Sequence, residues 1–185
     1  MHTIATIRNT AQKWSWLTAL LSISLGSLLL SLCSQIAIPL PGTPIRLTGQ
    51  TFAVMLLGAT MGPKTAVATV CAYIMQGFVG LPVFTNGTGG IDILWSTRVG
   101  YILGFVPQVF ITSYFLERKP TASKVRTFAI LAASCTAQLS MGVFGLALHV
   151  GFASALTMGL MPFIIGEAIK CAGLTAYLKG FRSQT

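Results

Sequence analysis

Residues 51–80, TFAVMLLGATMGPKTAVATVCAYIMQGFVG, form either one long hydrophobic span or two short ones divided at Gly62-Pro63-Lys64. The choice sets the architecture. Two spans here give six in all, with both termini cytoplasmic. Nine basic residues then lie inside: Arg8, Lys13, Lys64, Arg118, Lys119, Lys124, Arg126, Lys179 and Arg182. One span gives five, with seven basic residues inside, two outside and Lys64 in mid-bilayer. Burying that lysine costs about 2.5–3.5 kcal/mol on insertion scales, and basic residues gather on the cytoplasmic side. The sequence therefore predicts an all-α membrane protein with six transmembrane helices.

Composition supports the membrane reading. Of 185 residues, 54% are hydrophobic and 8% charged, with a mean hydropathy of +0.78. Soluble domains carry about 25% charged residues, so a soluble helical core lacks the polar faces it needs. The net charge of +9 does not point to nucleic acid, because the basic residues lie in short scattered clusters rather than on one face. Membrane lipids are the expected surroundings. Cys33, Cys71, Cys135 and Cys171 lie in separate apolar segments without metal-ligand spacing, so they are expected to be buried, inert thiols, with no metal and no cofactor.

Taken in order, residues 1–15 are a basic cytoplasmic segment closed by Trp14 and Trp16, which mark an interface. The run 16–38 is too long for a signal-peptide core and reads as an uncleaved first span. Along it, Ser22/Gly26 and Ser27/Ser31 place small residues four apart, which permits close helix approach. Residues 39–50, PLPGTPIRLTGQ, are a loop, because Pro39, Pro41 and Pro44 oppose a helix. The second span is short: 51–61 covers about 16 Å, roughly half the hydrocarbon core, so it is extended back to about 47 or tilted. The remaining spans are expected near 64–79, 93–116, 127–148 and 152–179, the last interrupted by Pro162 and Gly166. The whole chain, 1–185, makes a single integral membrane domain.

Orientation does not account for every charge. Arg46, Asp92 and Arg98 fall on the external side, and Glu167 and Lys170 fall within a span. Between the third and fourth spans runs 77–101, GFVGLPVFTNGTGGIDILWSTRVGY, irregular backbone carrying Asn86, Asp92 and Arg98. Such backbone is tolerated between spans only where protein buries it or where it lines a cavity. It is read as one wall of a small-molecule site.

Each polar residue has two readings. Glu167 and Lys170 share a helix face, so they either neutralise each other or clamp a ligand, the carboxylate accepting N–H groups and the ammonium meeting an acceptor. Arg98 is an interface anchor or an anion site. Asn86 shapes a turn with Gly87, or offers its amide to a urea-like group. Tyr101, Gln50 and Thr48 are weaker binding candidates, and His149 is expected to be a solvated turn residue. No P-loop, nucleophile elbow, zinc motif or dinucleotide fingerprint occurs, which argues against an enzyme and leaves the chain without its own ATPase. The alternative weighed is a small intramembrane enzyme acting on a lipid-like substrate, with Glu167 as base.

PIRLTGQTFAV (44–54), YIMQGFVGLPVF (73–84), GYILGF (100–105) and PFIIGEAIK (162–170) resemble the BioY family, the biotin-specific substrate-capture (S) components of energy-coupling-factor (ECF) transporters. The resemblance implies a six-helix S-component bundle in a bacterial cytoplasmic (inner) membrane. It implies biotin uptake from the outer face, with a transmembrane coupling protein and two ATPase subunits as partners. By motif position it implies that Asn86, Arg98, Glu167 and Lys170 contact biotin and that 39–50 is a lid. The sequence departs from the family pattern at STRVGY (96–101) and at Thr48-Gly49-Gln50. It departs also at Glu167, where the family carries Asp and the extra methylene moves the carboxylate by about 1.5 Å against hydrogen-bond lengths near 2.7–3.2 Å.

Overall fold

The computed structural model describes residues 2–118 and 123–182, with side chains described over 16–118 and 123–180. Lys119 and Thr121 lie outside the described residues, as do the side chains of Arg8, Lys13, Trp14 and Arg182. Among the described residues the structure is mostly helical, with one small hairpin and an irregular segment over 79–98. Helix α1 (His2–Gln35) leads into strands β1 (Ala37–Pro39) and β2 (Arg46–Thr48). Then come α2 (Gln50–Thr60), α3 (Pro63–Phe78), a 3-10 turn (Ile91–Trp95), α4 (Val99–Leu103), α5 (Phe105–Arg118), α6 (Lys124–Val150), α7 (Phe152–Gly159) and α8 (Met161–Arg182). Among the described residues, four helical runs are long and apolar enough to cross a membrane: Trp16–Gln35, Val99–Arg118, Lys124–Val150 and Phe152–Gly180.

The 51–80 stretch does divide where Pro63 stands. Met61 is extended and α3 starts at Pro63, where the missing N–H is no loss in a first helical turn. Gly62 packs beside Glu117, so the α2–α3 turn and the end of α5 share one end of the bundle, together with Lys64 and Arg118. The other end gathers the hairpin, the 79–98 segment and the α6–α7 turn. There Gln35 at the end of α1 binds Phe84 O and Gly87 N, and His149 bridges to Trp95 O. His149 is thus a tether, with Nδ1 also 3.1 Å from Gly145 O, rather than a free turn residue.

Several boundaries differ from those expected. Residues 37–39 pair antiparallel with 46–48 (Ala37 with Thr48, Pro39 with Arg46), so the first helix stops at Gln35 and Leu47 belongs to a strand. Proline is tolerated because the pair has no further neighbours. The second helix therefore begins at Gln50, three residues later than about 47. The fourth helical run starts at Val99 rather than 93, because the backbone turns extended at Ser96. In the last run the break falls at Leu160. Pro162 sits in the first turn of α8, where it is harmless, and α8 continues unbroken past Gly166. Gly166 instead supplies a seat for Leu47, whose methyls would lie 3.0 and 3.2 Å from a Cβ there.

Three apolar clusters fill the bundle. One joins α1, α2, α3 and α5 around Leu30, Val54, Val70, Tyr73 and Val109. A second joins α2, α5, α6 and α8 around Met55, Leu131, Cys135 and Leu174. The third joins Ile45 of the hairpin loop to Tyr101, Leu146, Ala155 and Phe163. Outside them Leu21, Leu25, Leu32, Phe144, Leu148 and Ile165 are exposed, as side chains facing lipid would be. The small-residue stripe of α1 is used where it meets α3: Gly26 lies against Thr69, and Ser27 Oγ donates to Gln76 Oε1 at 2.7 Å. Two cysteines depart from expectation, Cys71 being exposed and Cys33 only half-buried, whereas Cys135 and Cys171 are buried.

Candidate functional site

A cavity of about 330 Å³ opens at the hairpin end, between β2, the 84–88 loop, α4, α6 and α8. That size falls within the usual range for small-molecule sites, about 300–1,000 Å³. Its apolar wall is Ile45, Leu47, Phe84, Ile102, Phe105, Leu139 and Phe163. The polar groups lie in two tiers, an exposed or half-exposed rim and a buried floor.

The rim begins at Asn86-Gly87. Both residues have positive φ, 64° and 65°, and Phe84 N donates to Thr88 O across them. An Asn-Gly pair suits such a turn, since both residues tolerate the left-handed region. Turn-making and wall-lining coincide here, because Asn86 also faces the cavity. Its Oδ1 accepts from the Arg46 guanidinium at 3.2 Å, which joins the loop to β2. Arg98, at the N-cap of α4, lines the same rim. No hydrogen bond or ion pair engages its side chain among the described residues. Asp92 is exposed on the 3-10 turn and does not line the cavity.

The floor is built on the first turn of α2 and the middle of α8. Gln50 is held by its amide: Nε2 donates to Tyr73 Oη at 2.6 Å, and Tyr73 donates onward to Val83 O at 3.1 Å. Its Oε1 accepts from Thr48 Oγ1 at 3.2 Å, with Thr85 Oγ1 at 3.5 Å. Glu167, 5% exposed, reaches from α8 to the same helix end. Its Oε1 accepts from Thr51 Oγ1 (2.8 Å) and Lys170 Nζ (2.7 Å). A carboxylate beside a helix N-terminus is also stabilised by the helix dipole. The second oxygen, Oε2, meets only the Cys135 thiol among the described residues, at 3.5 Å.

Lys170 is placed behind the wall. Its ammonium gives its three protons to Glu167 Oε1, Thr51 Oγ1 and Thr48 O, each at 2.7 Å. It therefore positions Glu167 rather than facing the cavity. The pair is at once an i,i+3 neutralisation and a support for a cavity carboxylate, so the two readings of these residues merge. Tyr101 contributes its ring to the wall while its hydroxyl donates to Gly159 O at 2.8 Å, beside the α7–α8 break.

Sequence reasoning overlooked Thr51, Thr85, Thr88 and Gln138 on the cavity wall. Arg46 was visible as a leftover charge, but its partner lies forty residues away, in the 84–88 loop. Thr85 and Gln138 carry no charge and no motif, and only the packing of α6 against α4 brings Gln138 to the cavity.

The sequence and the fold are similar to those of known proteins. The chain is 30% identical over 166 residues to biotin transporter BioY2 of Lactococcus lactis subsp. cremoris, covering 87% of this chain and 88% of that protein. It is 33% identical over 138 residues to biotin transporter BioY of Thermotoga maritima, covering 72% and 78%. A crystal structure of the S-component for biotin from an ECF-type ABC transporter superposes with a TM-score of 0.82 at 21% identity, covering 92% of this chain and 94% of that one. The fold is thus that of an ECF S-component. With a family profile matching residues 6–185 as well, the chain belongs to the BioY family.

Proposed function

We propose that this chain captures biotin at the outer face of a bacterial cytoplasmic membrane and passes it inward with an ATP-driven ECF module. The observation that carries the reading is the polarity of the cavity: an unpaired guanidinium at the rim, buried acceptors at the floor and apolar walls between. Biotin matches it end for end. Its carboxylate meets Arg98 and the Asn86 amide, its fused rings lie among Tyr101, Phe105, Leu139 and Phe163, and its ureido end reaches the Glu167 carboxylate with an N–H group. Thr48 and Gln50 hold the floor, and Lys170 fixes the carboxylate that receives the ureido group.

Six spans with cytoplasmic termini suit this reading. The ends of α1, α3 and α6 lie at the cavity end and the α2–α3 turn lies at the other, so the chain alternates direction along the bundle. The coupling protein and two ATPase subunits are carried over from the family, since the chain has no nucleotide site of its own. The enzyme alternative draws no support from the matched family or from the named relatives, which are biotin transporters.

The test is equilibrium binding of labelled biotin to the purified chain in detergent or nanodiscs, beside Glu167→Ala. Saturable binding that the substitution weakens supports the proposal. Absence of binding at micromolar biotin rejects it.

A further inference from the structure

One buried polar atom on the cavity wall has no partner. Gln138, on α6, is 2% exposed and lines the cavity, and its Oε1 accepts no hydrogen bond. The orientation of the amide is fixed chemically. Its other end donates to Tyr101 O at 3.2 Å, and a backbone carbonyl can only accept, so the nitrogen must be the atom placed there. The oxygen is left as a bare acceptor, and leaving a buried acceptor unsatisfied is costly. Hydrophobic neighbours such as Leu139 show that an apolar side chain suits this wall, so packing alone does not call for glutamine.

Gln138 lies one turn along α6 from Cys135, the thiol that touches Glu167 Oε2. Three residues of helix rise separate them, about 4.5 Å. Gln138 and Glu167 both line the cavity, and each keeps an under-used acceptor: Gln138 Oε1 has no partner and Glu167 Oε2 has only the Cys135 thiol among the described residues. We infer that Gln138 is a specificity-determining residue: Oε1 accepts one N–H of a ligand whose second N–H goes to Glu167. The ligand class is a cyclic urea or a similar group with two N–H donors side by side. This deepens the biotin reading and rests on it.

The experiment measures binding of biotin and its two mono-N-methyl ureido analogues to the wild-type protein and to Gln138→Met, which keeps length and removes the acceptor. In the wild type, methylation of either nitrogen weakens binding. Gln138→Met weakens biotin about two- to tenfold, the range for a neutral hydrogen bond. It also abolishes most of the penalty for methylating one nitrogen while leaving the other penalty unchanged. A uniform loss for all three ligands shows that Gln138 serves only to hold Tyr101, and overturns the inference, as does no loss at all. Gln138→Asn, which withdraws the amide by one methylene, runs the same cycle if the Met variant does not yield folded protein. The wild type alone also decides: indifference to methylation at one nitrogen leaves Gln138 without a donor and ends the proposal. Failure of the wild type to bind biotin rejects the functional reading itself, so the two failures are distinct.

Discussion

Replacing Lys170 with methionine removes a cation from a buried pair and leaves Glu167 with one good donor, Thr51 Oγ1. Breaking such a pair from one side costs about 3–5 kcal/mol, because the remaining charge stays desolvated. Two details place this case at the lower end. The Lys170 side chain keeps 16% exposure, so it is not fully desolvated, and the Thr51 bond survives. The expected loss is about 3 kcal/mol, or roughly 6–12 °C in Tm at the sensitivity usual for a chain of this size. Glu167→Gln added to Lys170→Met removes the stranded charge, and the double variant should regain more than half the loss. Thermal unfolding in detergent, followed by a thiol-reactive dye at the buried Cys135 and Cys171, reads both quantities. A Lys170→Met protein melting within 1 °C of wild type, or a double variant no better than the single, would refute the assignment of Lys170 as the support of Glu167.

Three further predictions follow from the same geometry. Arg98→Met should weaken biotin by about 1.5–3 kcal/mol, the range for a charged hydrogen bond, and leave biotin methyl ester almost unchanged; equal losses for both would remove Arg98 from the carboxylate. Gly77→Ala places a Cβ inside the space of the Phe84 ring, so the ring must leave the cavity wall; overpacking of about 1–3 kcal/mol is expected together with weaker binding, and unaltered stability would contradict the packing. A cysteine at Thr121, in a background free of other cysteines, should react with a membrane-impermeant reagent only from the cytoplasmic side. Labelling from outside would reverse the topology.

The helices were legible because apolar runs, Pro63 and basic clusters act locally. Pro63 divides 51–80 by a local effect of its ring, and residues 79–98 leave the α-helix for reasons written in their glycines. The hairpin was hidden, since PLPGTPIRLT reads as a loop until Leu47 finds its seat on Gly166. The rim was partly legible: Arg98 and Asn86 stood out as polar residues without a topogenic task. The role of Lys170 was not, because whether an ammonium faces a cavity or a carbonyl depends on where Thr48 O lies, 122 residues earlier in the chain. Gln138 was invisible for a similar reason. An uncharged amide in an apolar helix gains meaning only from the helix packed against it.

The brevity of α2 has an effect on where a bound solute resides. Eleven residues rise only about 16 Å, while the apolar slab of a bilayer is about 30 Å thick. The hairpin and the cavity beneath it extend the bundle past the first turn of α2, so Gln50 lies under a roof and not at the protein's outer surface. Ile36 and Ile38, 64% and 55% exposed, stand out from the roof as side chains meeting acyl chains would.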